Sequence, residues 1–163
     1  MLIVDRVCRD ELPGGETAGY VEETMTLGWE DRQQGHGRRR TDQGTEFGLS
    51  LPPGVTLREG DCLLLEPLRR VVRVRESEEE VFVLRPATPQ EWAWDAYQIG
   101  NRHQPLMIAG DALICPRGPG VQQLLEQLRI PYVAARRPFT PAIARVGHDH
   151  AHGHAGDGRH RRD

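Results

Sequence analysis

The sequence predicts an α+β protein. An N-terminal all-β domain is followed by a ferredoxin-like βαββαβ domain and a disordered His-rich C-terminal tail. Three observations predict it. Residues 1 to 72 hold only short β-prone runs separated by turn signals, with no helix-period pattern of useful length. Beyond residue 75 the pattern changes to strand, helix, two strands, helix and strand, the order of a split βαβ unit. The last sixteen residues hold five of the seven histidines and no apolar side chain larger than Ala, so they cannot bury a core.

Each element has its own reason. Met1–Val7, Gly19–Leu27, Gly37–Thr41, Glu46–Leu51 and Cys62–Leu65 are β-prone runs. Pro13-Gly14-Gly15, Gly35-His36-Gly37, Pro52-Pro53-Gly54 and Glu59-Gly60-Asp61 punctuate them as turns. Val72-Arg73-Val74-Arg75 alternates apolar and charged side chains, as a half-exposed strand does. Glu80–Leu84 reads as the next strand. Thr88-Pro89-Gln90-Glu91 is a capping box with Pro at the first helical position. Trp92, Ala96 and Ile99 then fall on one helical face, and Gly100-Asn101 reads as the stop. Pro105–Ile108 and Ala112–Cys115 are expected to form two strands around Ala109-Gly110-Asp111. Val121, Leu124, Leu125 and Leu128 mark a second amphipathic helix, and Pro131–Ala135 a last strand. The expected units are residues 1–74, 75–147 and the tail 148–163, and no internal repeat is visible.

Composition narrows the function. The chain has 163 residues, 37% hydrophobic and 28% charged, enough for one ordinary domain or two small ones. All 21 basic residues are Arg, which removes Schiff-base and P-loop lysine chemistry. A net charge of −3 argues against a nucleic-acid binder. No run approaches the ~18–20 apolar residues of a membrane span. No basic segment followed by a long apolar run opens the chain, so no signal peptide is expected. The three cysteines, Cys8, Cys62 and Cys115, are widely spaced, with no CxxC and no disulfide framework. A cytoplasmic location follows as the expectation.

The side chains with chemistry to offer are histidines. His148, His150, His152 and His154 recur at every second position, with His160 further on. Imidazole is a good ligand for nickel, copper and zinc, and a flexible chain can fold several round one ion. The neutral ring is the ligand, so such binding weakens as pH falls through about 6.5. His103 follows the helix stop. Its spacing from Trp92 and Ile99 would put it on the apolar stripe if the helix ran on, so by itself it reads as a partly buried, hydrogen-bonded histidine. His36 reads as part of a mobile turn, Arg38–Arg40 as a solvated strand edge and Cys62 as a core thiol. No Ser-His-Asp or Cys-His arrangement and no phosphate-binding Gly-rich loop can be read from spacing, so no catalytic residue is expected.

Two motifs together resemble a known family. Tyr97-Gln98-Ile99-Gly100-Asn101-Arg102-His103-Gln104-Pro105-Leu106 closely resembles the GNRH-x-P signature of UreE, the urease accessory nickel metallochaperones. Arg38–Thr41, Gly44, the Gly48–Pro53 run and Leu57-Arg58-Glu59-Gly60-Asp61 are similar to that family's N-terminal pattern, and the His-rich tail to the one many members carry. The resemblance implies an N-terminal module that engages peptide or protein partners. It also implies a ferredoxin-like domain that binds metal and forms a homodimer. His103 would match the family's key ligand, one from each subunit, with the tail histidines as further ligands. The implied cargo is Ni2+, with Zn2+ or Cu2+ also able to bind. The implied partners are the urease accessory GTPase and the urease apoprotein complex. A general zinc, copper or nickel buffer working through the tail stays open beside this reading.

Overall fold

A computed structural model describes residues 1–9 and 17–142. Ten strands and three α-helices follow one another as β1 (Ile3–Val4), β2 (Val21–Leu27), α1 (Trp29–Gln33), β3 (His36–Arg40), β4 (Glu46–Ser50), β5 (Cys62–Leu65), β6 (Arg70–Glu76), β7 (Glu79–Leu84), α2 (Pro89–Asn101), β8 (Met107–Ala109), β9 (Ala112–Pro116), α3 (Pro119–Gln127) and β10 (Val133–Arg137). The chain is mixed α+β, dominated by sheets. The histidine-rich tail lies outside the described residues. No helix among the described residues is long and apolar enough to cross a membrane.

The first six strands form two three-stranded sheets, ordered β1-β4-β3 and β2-β6-β5. Both mix parallel and antiparallel pairs: β1 runs parallel to β4 and β2 parallel to β6. Their inward side chains, among them Met25, Phe47, Leu49, Leu63, Leu65, Val72 and Val74, share one core with Leu51 and Leu57. Strand limits shift modestly from the sequence reading. The expected Met1–Val7 run keeps only Ile3–Val4 as strand, since only these residues pair with β4. The strand centred on Val72–Arg75 is longer, Arg70–Glu76, because β2 matches it residue for residue.

One element here corrects the expectation. Residues 29–33 form a helix where none is expected. Five residues make barely more than one turn, too short for a hydrophobic period. The turn is held from outside itself. The Trp29 amide donates to Glu79 Oε2 at 3.0 Å, and the Trp29 ring meets Phe139 edge-on at 5.7 Å.

The remaining strands make a four-stranded sheet ordered β10-β7-β9-β8, every neighbouring pair antiparallel. Side chains alternate between its faces. Phe82, Leu84, Leu113 and Cys115 point under α2 and α3, meeting Ile99, Val121 and Leu125. Val81, Val83, Ala112 and Ile114 point the other way, to Phe139 and Trp29. The central strands are therefore apolar on both faces, which is why Val81–Leu84 and Ala112–Cys115 read as unbroken apolar runs.

Candidate metal centre

His103 stands at the end of α2. Thr88 starts that helix: its Oγ1 accepts from the Glu91 amide at 3.1 Å. Glu91 reaches back as expected, but to the Ala87 amide, at 2.7 Å, one residue before the cap. Trp92, Ala96 and Ile99 face the core, Ile99 fully buried. The expected stop at Gly100-Asn101 falls one to two residues early. Both are helical, and Arg102 is the C-cap.

The turn that ends the helix is made by His103 itself. Its φ is +55°, the left-handed region. Its amide donates to the Gly100 carbonyl at 2.9 Å, and the Gln104 amide donates to the Ile99 carbonyl at 3.3 Å. These paired bonds are a Schellman cap, in which the left-handed position is usually glycine. Pro105 follows and cannot continue the helix. The left-handed step turns the chain away from the apolar stripe, so His103 is exposed. This corrects the partly buried position that its spacing from Trp92 and Ile99 implies. A β-carbon in this conformation costs about 1–2 kcal/mol. Arg69 and Arg129 hold the same left-handed conformation, with φ of +49° and +55°.

Three further features lie on α2 or near the turn that ends it. After β10 the chain folds back across β8. Phe139 and Pro141 are buried, the Thr140 amide lies 3.3 Å from Met107 Sδ, and the Ala142 amide donates to the Leu106 carbonyl at 2.7 Å. Ala142, the last described residue before the tail, therefore sits against Leu106, three residues past His103. On the outer face of α2, Trp94 and Tyr97 are 54% and 61% exposed, a large apolar surface for a helix of this size. Their ring centroids are 6.5 Å apart. Inside the same helix Asp95 is 8% exposed. Burial, with a smaller push from Glu91, raises its carboxyl above the ordinary range.

Among the described residues, no group of three or more His, Cys, Asp and Glu comes together as a ready-made metal cage. His36 is exposed at the start of β3, and Cys62 and Cys115 are both buried, Cys115 in the core beneath α2 and α3. His148, His150, His152, His154 and His160 lie outside the described residues. Sequence reasoning missed Arg32, buried to 1% exposure in the unexpected α1. It donates to Glu76 Oε1 at 2.7 Å, to the Phe139 carbonyl at 2.6 Å and to Thr140 Oγ1 at 3.1 Å. It thereby anchors the strap that leads to Ala142. No pattern in Trp-Glu-Asp-Arg-Gln signals this, because all three partners lie far along the chain.

Comparison with known proteins agrees across the chain. Residues 4–75 match the family model for the UreE urease accessory protein N-terminal domain, and residues 79–163 match that for the C-terminal domain. The urease accessory protein UreE of Citrobacter koseri is 37% identical over 143 residues, covering 86% of this chain and 94% of the relative. That of Cupriavidus pinatubonensis is 33% identical over 156 residues, covering 94% of this chain and 69% of the relative. That of Chelativorans sp. is 37% identical over 144 residues, covering 83% and 89%.

Proposed function

The chain belongs to the UreE urease accessory protein family, which serves urease maturation, and we propose that its share of that work is to capture Ni2+ and deliver it for assembly of the urease active site. The family is one of accessory proteins, and we assign this chain no catalytic step. In this reading a ferredoxin-like unit, residues 75–147, carries the metal site and the homodimer contact. Residues 1–74 engage protein partners, and residues 148–163 collect metal. The partners are the urease accessory GTPase and the urease apoprotein complex, in the cytoplasm, with neither nucleic acid nor membrane involved.

One observation carries the reading: the bond from the Ala142 amide to the Leu106 carbonyl brings the root of the tail to the His103 turn. His148 lies six Cα steps beyond Ala142, and an extended chain spans at most ~3.3–3.6 Å per residue. That is about 20 Å of reach for His148 from an anchor bonded to Leu106, three residues past His103. A metal held by His148, His150, His152, His154 or His160 is thus within delivery distance of the His103 imidazole. A single described chain offers one histidine there, so the remaining ligands must come from the tail or from a second copy. The exposed Trp94 and Tyr97, on the helix that ends at His103, supply an apolar face on which a second copy can dock.

The chemistry suits a carrier. A structural metal site closes round its ion with four protein ligands. Two His103 rings across a two-fold supply only two, and water or tail imidazoles, which exchange, complete the shell. Calorimetric titration of Ni2+ into the full chain tests this, beside His103→Ala and a truncation after Gly147, with solution mass followed in parallel. The expected result is a tightest site of one ion per two chains that disappears in His103→Ala. If His103→Ala binds like the unaltered chain and only the truncation fails, the tail is a general metal buffer and the two-fold site is wrong.

A further inference from the structure

Two of the three cysteines belong to no cluster of potential metal ligands among the described residues, and the fold brings them face to face. Cys8 and Cys62 oppose each other in an isolated antiparallel bridge. The Cys8 amide donates to the Cys62 carbonyl at 2.9 Å, and the Cys62 amide donates back to the Cys8 carbonyl at 2.9 Å. Residues that exchange both bonds are directly opposed, with Cα atoms about 5.5 Å apart and side chains on the same face. A disulfide needs Cα atoms about 4.4–6.8 Å apart. Both thiols are free, and among the described residues no third potential ligand joins them to make a metal site.

We propose that Cys8 and Cys62 form a reversible intramolecular disulfide, driven by a low-molecular-weight disulfide of the glutathione type. Cys8 is the entry point. It is half-exposed and lines a groove of about 280 Å3 with Leu2, Asp5, Leu64 and Glu66, open to a small molecule. Its thiolate attacks one sulfur of the oxidant, forming a mixed disulfide and releasing one small thiol. Cys62 then gives up its proton, and its sulfur attacks Cys8 Sγ. The new S–S bond displaces the second small thiol. Two protein thiols are oxidised by two electrons, and one small disulfide is reduced to two thiols. Cys62 suits the second step only: it is 4% exposed, and burial pushes its thiol up.

The same geometry makes the bond reversible. Opposed Cβ atoms lie about 4.5–5.5 Å apart, towards the wide end in a hydrogen-bonded pair, whereas a relaxed disulfide prefers about 3.5–4.5 Å. Closure must draw Cys8 inward. The bridge is isolated from any longer ladder, so the segment has room to move, but the bond stores strain and is readily reduced. Cys115 stays out of the reaction. It is fully buried in the other half of the chain, and burial pushes its thiol up to about 12.

The full chain, incubated with excess oxidised glutathione, quenched with acid and unfolded, should fall from three titratable thiols to one. Peptide mapping should find Cys8 joined to Cys62, and dithiothreitol should restore all three thiols. Cys8→Ser, a change at a half-exposed position, should keep both remaining thiols and carry no glutathione on Cys62. Retention of three thiols, a lasting glutathione adduct on Cys8, or a Cys8–Cys8 bond between two chains would each overturn the proposal.

Discussion

His103 holds a backbone position that glycine would hold with less strain, and this separates its structural role from its chemical one. His103→Gly keeps the Schellman cap and removes the left-handed penalty, so it should stabilise the chain by about 1 kcal/mol in urea unfolding. The same variant should lose the tightest Ni2+ site in calorimetry. A stability loss together with intact Ni2+ binding would reverse both assignments. Asp95 makes a second case at this scale. Its carboxyl is raised above the unfolded value near 4, chiefly by burial. The folded chain therefore binds this proton more readily than the unfolded one. The ionised group costs stability once pH exceeds the folded value, and that cost vanishes below the unfolded one. Asp95→Asn should raise the thermal midpoint at pH 7, with the gain shrinking to nothing near pH 3. The chemistry of His103 was legible in its residue type. Its exposure was not, because a 3.6-residue period cannot foresee a left-handed step.

At the scale of elements, local signals worked where the bonds are local. The Thr88 cap, the Ile99 face and the turn at Gly110, with φ of +59°, all follow from neighbours within a few residues. Thr88→Ala should cost about 1 kcal/mol by urea unfolding while leaving Ni2+ binding unchanged. The helix at Trp29–Gln33 went unread because its supports, Glu79 and Phe139, lie far along the chain. Asp42 shows the same dependence on distant strands. Its carboxylate accepts from Thr24 Oγ1 at 2.7 Å, from the Thr26 amide at 3.1 Å and from Thr26 Oγ1 at 2.8 Å, tying the β3–β4 turn to β2. These bonds, that from Thr24 foremost, hold its carboxyl below the ordinary range. The stabilisation is complete above the unfolded value near 4 and is lost as pH falls through the folded one. Asp42→Asn should therefore flatten the acid limb of a stability–pH profile below about pH 4, and an unchanged limb would refute the assignment.

For the whole molecule, Arg32 is the main polar tie between the N-terminal sheets and the strap that carries the tail root. Its guanidinium is buried while Glu76 keeps partial contact with water, at 18% side-chain exposure. Arg32→Ala leaves the Phe139 carbonyl without its donor and Glu76 Oε1 with only the Thr140 hydroxyl at 3.3 Å, and about 3 kcal/mol of stability should be lost. Arg75→Ala, which breaks an ion pair with both side chains 49% exposed, should cost less than about 1 kcal/mol. Equal losses would remove Arg32 from this role. The proposed dimer belongs to this scale as well. Tyr97→Glu puts a charge into the exposed aromatic face of α2 and should halve the mass in light scattering, while a dimer that persists would move the contact elsewhere.

The sequence by itself determined the mixed α+β class, the order of elements from β7 to β10, the helix cap at Thr88 and the family. Each rests on residues that are near neighbours, or on motifs preserved as strings. Only the tertiary structure decided that His103 faces solvent, that the root of the tail lies against Leu106, that Arg32 is buried and that Cys8 meets Cys62. The exposure of His103 comes from a local left-handed step that a hydrophobic period does not encode. In the other three the partners are set by strand register, or by a segment folding back over a sheet. Such contacts join positions far apart in the chain, and the backbone hydrogen bonds that create them are blind to side-chain identity.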